Sequence, residues 1–368
     1  MRRVLILGAG NAQYDAIRYC KEAGCEVYAI SYTDTDKSIP LCDHFEKIDI
    51  VDVEAVYEYA QKIDADLIYS VGSDIAMPTA MEVSERLRKP HFVSSETALI
   101  CNNKNMLRKK LGENFPGNIG YHVVTNKKEL EDIDFFPVIM KPVDSQGQRG
   151  VMRCDTMGEL QKEFDVSMSY SRSKKIIVEQ FIEGKEISVN LYMHDGKIIY
   201  SLISDRISFS DLPGGIIKEH RVPSQYMDGK TDKLIIDLCD RTVKQLNINE
   251  GPVYFQIIVS NQGKPYLIEV TPRFDGCHMW NLIFHYQDVN LLKLAFDYLL
   301  YEKEPVIVAK KDDNPMVLHF MCQKPNTMFR KGAFQIEPNH KYLRWYYDEG
   351  DNVRVLNGYM EKCGYYID

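Results

Sequence analysis

The first quarter of the chain alternates between two spacings of apolar residues. Short apolar runs occur at Val4–Leu7, Glu26–Ser31 and Leu67–Val71. Between these runs, apolar residues follow helical spacing after Asn11 and after Asp52, which are residue types that cap helices. Strands that alternate with helices through short connections form parallel sheets, so we predict a doubly wound, Rossmann-like α/β domain in this region.

The middle of the chain has a different pattern, in which strand-like runs follow one another. Apolar runs span Pro137–Val143 and Ile176–Ile182, and an Asp-Gly pair joins Ile187–Met193 to Lys197–Ser204. An Asp-Gly pair between two apolar runs is a strong hairpin signal. This part of the chain is therefore predicted to be α+β.

A further hairpin is predicted from Val253–Val259 and Pro265–Val270, which flank an Asn-Gln-Gly turn. Gln256 lies on its first strand, and Glu269 and Thr271 share a face at the end of the second, because side chains two apart on a strand point the same way. Oxygen ligands with few charges suit Mg²⁺, which binds through one or two carboxylates and substrate phosphates. An ordinary hairpin with a polar face is the alternative.

Lys141 lies inside the apolar run Pro137–Val143. Burying an unpaired ammonium costs several kcal/mol, so we expect Lys141 to have an anionic partner. The loop that follows, Asp144–Gly150, contains glycines and small polar residues, and such a loop can present backbone N–H groups to phosphate oxygens. A plain β-turn is the alternative.

The segment Asp205–Gln225 shows neither a helical nor a strand period. Long irregular segments in compact domains often serve function, so we predict a substrate-side loop that can bind anions. His220 within it is expected at the surface. Further on, a helical segment is predicted from Cys277 to Tyr301, followed by a small β-rich segment at the C-terminal end.

Composition narrows the classes of partner. The net charge is −8, which argues against nucleic acid, because phosphate backbones need a basic face. Nine scattered cysteines without a CxxC pair indicate reduced thiols. No stretch approaches the ~20 apolar residues of a membrane span. We therefore expect a soluble, cytoplasmic protein that binds neither membranes nor nucleic acids, with no Ser/His/Asp or Cys/His arrangement for nucleophilic catalysis.

The turn after the first strand, Gly8-Ala9-Gly10, resembles the start of a dinucleotide-binding G-x-G-x-x-G motif. Gln13 replaces its third glycine, so close packing around a pyrophosphate is not indicated. A tight structural turn is favoured over NAD binding.

Four motifs, in this order, resemble the ATP-grasp superfamily in its carbamoyl-phosphate-synthetase-like branch. They are Lys104 at the start of a short helix, Lys141 with its glycine-containing loop, Glu179–Glu186, and Gln256 followed after 12 residues by Glu-Val-Thr-Pro-Arg. Thr271 replaces the asparagine of that branch, which leaves the number of metal ions open. The resemblance covers residues 1 to about 300.

The resemblance implies ATP and Mg²⁺ as cofactors, with Mn²⁺ as an alternative metal. Gln256, Glu269 and Thr271 would hold the metal, and Arg273 and Lys141 would be catalytic. The implied ATP contacts are Lys104, Lys141, Ser145, Gln146, Gly147, Gly150, Glu179, Gln180, Phe181, Ile182 and Glu186. Of these, the backbone at Gln180–Ile182 would bind the adenine edge, and Glu186 would hold the ribose hydroxyls. The implied substrate contacts are Gly10, Asn11, Ser73, Asp74 and Arg273. The irregular segment Asp205–Gln225 adds Arg206 and His220 as candidate substrate contacts.

The same resemblance implies a carboxylate–amine ligase that forms an amide through an acyl phosphate and releases ADP and phosphate. Its partners would be small-molecule carboxylates and amines, and a homodimer is an option. A carbamoyl-phosphate-synthetase-like phosphorylating enzyme and a non-catalytic ATP-binding protein are the alternatives. The implied division is a Rossmann-like domain at 1–95, an ATP-grasp N-lobe at 96–175, a C-lobe at 176–304 and a small C-terminal subdomain at 305–368.

Overall fold

The chain is described by a computed structural model at residues 1–145, 149–210, 212, 215–310, 314–356 and 358–368. Gln146 and Gly147, two predicted phosphate-loop residues, lie outside the described residues. Within the described ranges the strands form three sheets.

The first sheet is parallel, as the alternating pattern predicts. Its strands are β1 (Arg3–Leu7), β2 (Glu26–Ile30), β3 (His44–Glu46) and β4 (Leu67–Tyr69). They lie in the order β3-β2-β1-β4, with Val4 of β1 opposite Val27 of β2 and Leu67 of β4. The helices of this region are α1 (Tyr14–Glu22), α2 (Val53–Lys62), α3 (Ala76–Leu87), α4 (Ser95–Asn102) and α5 (Lys104–Leu111).

Two helix starts in this domain differ in how well the sequence predicts them. Asp52 caps α2 as expected, since its side chain accepts a hydrogen bond from the N–H of Ala55. The prediction that Asn11 caps α1 is wrong, because the helix begins only at Tyr14. The side chain of Gln13 accepts from the N–H of Gly10 at 3.0 Å, which holds residues 10–13 in a separate turn ahead of the helix.

The second sheet is antiparallel and has its own small core. It contains β5 (Tyr121–Val124), β6 (Val138–Pro142), β7 (Met152–Cys154) and β8 (Ile176–Gln180) in the order β5-β8-β6-β7. α6 (Met157–Ser169) packs on it, and the side chain of Thr156 caps α6 by accepting a hydrogen bond from the N–H of Glu159. Because Val138, Leu160 and Phe164 belong to an apolar cluster separate from the main core, this sheet with α6 is a distinct packing unit.

The third sheet has eight strands and carries both predicted hairpins. Its strand order is β13-β12-β9-β10-β11-β14-β16-β15. The strands and accompanying helices are β9 (Gly184–His194), β10 (Lys197–Ser208), β11 (Ile217–Val222), α7 (Thr231–Gln245), β12 (Gly251–Ser260), β13 (Pro265–Thr271), α8 (Met279–Gln287), α9 (Leu291–Tyr301), β14 (Met316–Gln323), β15 (Tyr342–Trp345) and β16 (Glu361–Ile367). The C-terminal strands therefore extend the sheet that holds the Gln256–Glu269 hairpin.

Two predicted features of this region are wrong. The segment Asp205–Gln225 is not irregular throughout, because β10 continues to Ser208 and β11 forms within it. The helix predicted from Cys277 to Tyr301 is divided between α8 and α9 by residues 288–290. The spacing of apolar residues along the sequence predicted neither β11 nor the break between α8 and α9.

None of the helices in the described ranges is long and apolar enough to cross a bilayer.

Candidate active site

One face of the eight-stranded sheet carries a row of polar side chains. Glu269 on β13 is opposite Gln256 on β12, and Gln256 is opposite Ser188 on β9. Further along the sheet, Arg206 on β10 is opposite His220 on β11. Residues directly opposite on antiparallel strands share a face. The predicted metal ligands thus begin a row that ends at two of the predicted substrate residues.

Glu186 joins the two halves of this row. Its Oε2 accepts from the Nε2 of Gln256 at 3.1 Å and also from the guanidinium of Arg206. Burial would lower the pKa of Arg206, but the charge of Glu186 outweighs burial and raises that pKa above its usual value. The predicted ribose ligand Glu186 is therefore placed between the candidate metal ligands and the candidate substrate end.

The donor set of Gln256, Glu269 and Thr271 fits a magnesium ion. Gln256 and Glu269 are partly exposed on the shared face, while Thr271 is buried. Within the residues that the structure describes, the hydroxyl of Thr271 is buried without a hydrogen-bond partner. A buried hydroxyl of this kind is normally satisfied, so it fits a ligand or a ligand-bound water.

Lys141 has the anionic partner that its position in an apolar strand requires. Its Nζ lies 2.6 Å from Oε2 of Glu179, and both side chains are almost fully buried. The other carboxylate oxygen of Glu179 accepts from Nε of Arg108 at 2.8 Å. Burial would raise the pKa of Glu179, but Arg108 and Lys141 outweigh it and hold the pKa at about 2. Burial also lowers the pKa of Lys141, against the attraction of Glu179.

Lys104 lies at the entrance to the predicted phosphate loop. Its Nζ donates to the carbonyl of Ser145 at 3.2 Å, and its positive charge contributes to the lowered pKa of Lys141. At the other end of the loop, Gly150 has φ +74° and packs against Pro142 and Tyr170, so a side chain there would be strained. The two predicted phosphate-binding lysines therefore lie close together beside this loop.

The backbone at Gln180–Ile182, predicted to bind adenine, is partly engaged in the fold. The N–H groups of Gln180 and Phe181 donate to the carbonyls of Gly120 and Pro137 at 2.9 and 3.0 Å. No acceptor for the N–H of Ile182 occurs among the described residues. Only Ile182 is thus placed to donate a backbone hydrogen bond to a ligand from this segment.

Arg273 is anchored to the N-terminal domain. Its Nε donates to Oδ1 of Asp74 at 2.7 Å, and the carbonyl of Phe274 accepts from the same guanidinium. Burial would lower the pKa of Arg273, and the charge of Asp74 reverses that effect and keeps the pKa above its usual value. Two predicted substrate residues from distant parts of the chain therefore meet here.

The turn that carries Asp74 approaches the end of the hairpin closely. Gly72 has φ +70°, and a Cβ on it would lie 2.8 Å from Cβ of Ala12 and 3.3 Å from the carbonyl oxygen of Asp275. Ser73 lies half-buried in the same turn. The glycine is needed here both for its backbone conformation and for the close approach of two chain segments.

Gly10 and Asn11 make internal contacts in the first turn. The N–H of Gly10 is taken by Gln13, whose Nε2 in turn donates to the carbonyl of Val71. The carbonyl of Asn11 accepts from Arg344 at 3.3 Å, and among the described residues its buried Oδ1 has no partner. Because Gln13 occupies the Gly10 amide, the turn does not offer that amide to a pyrophosphate.

The expectation that His220 lies at the surface is wrong, because its side chain is fully buried in β11. One ligand atom each of His220, Asp275 and Cys277 lie within 4.8 Å of one another. Local sequence patterns do not predict this arrangement, since 55 or more positions separate His220 from Asp275 and Cys277.

Arg108, Asp275 and Lys362 are site residues that the sequence reasoning missed. Arg108 is in a run of basic residues that resembles an exposed helix face, yet it is buried and also donates to the carbonyl of Ile268 at 3.3 Å. For Asp275 the available signal was its position two residues after Arg273. No sequence signal distinguished Lys362 from the other lysines.

Part of the chain matches a known domain family. Residues 134–280 match the ATP-grasp domain. The carbamoyl phosphate synthase large chain of Thermoanaerobacter pseudethanolicus is 22% identical over 361 residues, which cover 92% of this chain and 32% of that protein. Formate-dependent phosphoribosylglycinamide formyltransferase of Methanococcus maripaludis is 25% identical over 190 residues, 50% of this chain and 48% of that protein. The chain thus spans about a third to a half of the length of these relatives.

Solved structures agree in fold over the whole chain. L-amino acid ligase from Bacillus licheniformis has a TM-score of 0.82 at 19% identity and covers 100% of this chain and 93% of its own. Phosphoribosylglycinamide synthetase from Anaerococcus prevotii has a TM-score of 0.76 at 18% identity with the same coverage. Residues 134–280 therefore match an ATP-grasp domain, and the chain as a whole shares its fold with these two solved structures.

Proposed function

We propose that this protein is an ATP-dependent carboxylate–amine ligase that forms an amide through an acyl phosphate and releases ADP and phosphate. The observation that carries the proposal is the placement of three kinds of group. The four-stranded sheet and α5 carry the basic groups Lys141 and Lys104, and the eight-stranded sheet carries the row of oxygen ligands. The buried Arg273 follows the last strand of that row. These are the kinds of group that position a nucleotide and stabilise charge in phosphoryl transfer.

The basic residues account for nucleotide binding. Lys141 and Lys104 border the same loop and would hold phosphate oxygens of ATP, while Ile182 would donate its backbone N–H to the adenine edge. Glu186, between Gln256 and Arg206, is placed to accept from ribose hydroxyls. Binding ATP would give Lys141 an anionic partner in addition to Glu179.

The oxygen ligands account for the metal requirement. Gln256, Glu269 and Thr271 would hold Mg²⁺, which when bound neutralises charge on the β- and γ-phosphate oxygens. Arg273 is always protonated and has a planar fork of donors, so it suits the transferring phosphoryl group. Asp74 and the carbonyl of Phe274 keep that fork oriented before substrate arrives.

In the proposed reaction, a substrate carboxylate oxygen attacks the γ-phosphorus and ADP leaves. The nitrogen of an amine then attacks the acyl carbon, and phosphate leaves. The separate core of the four-stranded sheet would let that lobe close over the site and exclude water, since it packs as its own unit. The fold similarity to an L-amino acid ligase supports amino acids as the first substrates to test.

The test is ADP and phosphate release from ATP and Mg²⁺ with a mixture of amino acids, compared between the wild-type protein and Glu269→Gln. The proposal predicts release that depends on the amino acids and is lost in the variant, with the fold retained. Release that depends on bicarbonate and ammonia would favour the carbamoyl-phosphate-synthetase-like alternative. Nucleotide binding without any release would favour a non-catalytic ATP-binding protein.

A further inference from the structure

Two buried polar atoms face one space beside Arg273. Within the residues that the structure describes, Nε2 of His220 and Oδ2 of Asp275 have no hydrogen-bond partner. The side chains are 0% and 2% exposed, and with Cys277 their ligand atoms lie within 4.8 Å of one another. Because buried polar atoms are nearly always paired, each of these two atoms is expected to accept a hydrogen bond from a bound water or ligand.

Asp275 is held in one orientation by the start of α8. Its Oδ1 accepts from the N–H of Met279 at 3.0 Å, and Oδ2 is the oxygen that has no partner among the described residues. The residue follows Arg273 by two positions, and the backbone of Asp275 packs against Gly72. This carboxylate is therefore fixed next to the group proposed to contact the transferring phosphoryl.

Two cations border the same space. Nζ of Lys362 donates to Sγ of Cys277 at 3.3 Å. Burial lowers the pKa of His220, and the charges of Arg206 on β10 and of Lys362 lower it further. The charge of Lys362 also favours a lower pKa at Asp275, against the effect of burial. These charges repel a divalent metal ion more strongly than a monovalent one, because the repulsion scales with charge. They also lower the pKa of a docked ammonium and so favour the loss of its proton.

We propose that this space binds the primary amine substrate and that Asp275 is the general base that deprotonates it. The inference rests on the proposed function, because it assigns the base for the attack of the amine on the acyl phosphate. The amine would dock as an ammonium, with N–H groups directed at Oδ2 of Asp275 and Nε2 of His220.

The proton balance is as follows. The ammonium gives one proton to Oδ2 of Asp275, which leaves a neutral amine and a carboxylic acid. The nitrogen lone pair forms the C–N bond to the acyl carbon, and the C–O bond to phosphate breaks. Phosphate leaves with that electron pair and takes the second N–H proton, and Asp275 later returns its proton to solvent.

The surroundings of Asp275 support this role. Burial raises its pKa to about 6, against the opposing charges of Arg273 and Lys362. A general base is most effective when its pKa lies near the working pH. The titratable and charged groups around it are Arg273, Lys362, His220, Cys277 and Tyr254.

Hydroxylamine separates the two halves of the reaction, because it is largely unprotonated at neutral pH and needs no base. Wild-type protein and Asp275→Asn receive ATP, Mg²⁺ and the common amino acids. Hydroxamate formation with added hydroxylamine reports the acyl phosphate, and mass spectrometry without it reports the amide. The variant should lose amide formation about 10²–10⁴-fold and hydroxamate formation roughly tenfold or less. The amide rate that remains should rise with pH in step with the free-amine fraction.

Equal losses of both products in Asp275→Asn would overturn the base assignment, as would an amide rate equal to that of wild type. Asp134→Asn, at an exposed position, is the control for the substitution itself.

A second experiment needs no turnover. Ethylammonium chloride should raise the melting temperature of wild type more than tetramethylammonium chloride, which has no N–H donor, and Asp275→Asn should abolish that difference. Equal effects of the two salts on wild type would contradict the amine site, whereas absence of hydroxamate with this difference intact would instead contradict the proposed function.

Discussion

The guanidinium of Arg273 is held by the carboxylate of Asp74, 199 positions earlier in the chain. The pair connects the strand-end turn of the parallel sheet to the end of the Gln256–Glu269 hairpin. Both side chains lie mostly out of solvent, with exposures of 6% and 16%. The N-terminal domain therefore takes part in orienting the group that we assign to the transferring phosphoryl.

We expect Asp74→Ala to leave a buried guanidinium uncompensated and to lower the free energy of unfolding by about 3–5 kcal/mol. Turnover should fall as well, because Arg273 loses its orientation. Urea unfolding of Asp74→Ala, Arg273→Ala and the double variant gives the coupling between the two. The exposed pair Arg86–Glu54 is the control and should show a coupling of about 1 kcal/mol or less. Equal coupling in the two pairs would contradict the role given to Asp74.

Gly72→Ala tests the close approach between the turn and the hairpin. The strain at positive φ costs about 1–2 kcal/mol, and the contact with Ala12 adds to it. Gly24→Ala is a matched control, since Gly24 has φ +76° and nothing within 4 Å of an added Cβ. Both variants should lose stability in thermal unfolding, but only Gly72→Ala should also lose ADP release per folded molecule. An unchanged rate in Gly72→Ala would show that the turn does not position the site.

Lys141→Met tests nucleotide binding without leaving Glu179 unpaired, because Arg108 still contacts that carboxylate. Loss of one charge-assisted hydrogen bond should weaken MgADP binding by about 1.5–3 kcal/mol, which calorimetry can measure. Lys162→Met, which removes an exposed lysine on α6, should leave binding unchanged. Equal affinity in wild type and Lys141→Met would remove the phosphate role from Lys141.

The Glu179 carboxylate predicts a specific acid response. Its pKa is held at about 2 in the folded protein, below the ordinary value of 4.5. A depressed carboxyl pKa stabilises the fold above pH 4.5, and this stabilisation, on the order of 3 kcal/mol, is lost as the pH falls toward 2. In Glu179→Gln the decline of the urea midpoint between about pH 5 and 3 should be shallower than in wild type. Parallel declines would contradict the assignment.

Local chemistry made much of the fold predictable. The apolar runs of the parallel sheet and the Asp-Gly hairpin are specified by neighbouring residues, and the structure confirms them. Lys141 was informative because an ammonium in an apolar strand requires a partner. Strand β11 was missed since its sequence, IKEHRV, has buried Glu219 and His220 where the usual pattern has apolar residues.

What the sequence did not reveal depends on contacts between distant segments. Arg108 contacts Glu179 and the carbonyl of Ile268, 71 and 160 positions away, so nothing near it in sequence marks it as buried. The cluster of His220, Asp275 and Cys277 likewise joins β11 to the segment that follows β13, and these are distant in the sequence.

The most direct test of the central claim is transfer of oxygen from the substrate carboxylate to phosphate. An amino acid that supports ADP release is labelled with ¹⁸O in its carboxyl group and incubated with ATP, Mg²⁺ and an amine. If the carboxylate attacks the γ-phosphate and the amine displaces phosphate from the acyl carbon, one ¹⁸O appears in each inorganic phosphate released. Unlabelled phosphate in a reaction that still forms amide would contradict the account.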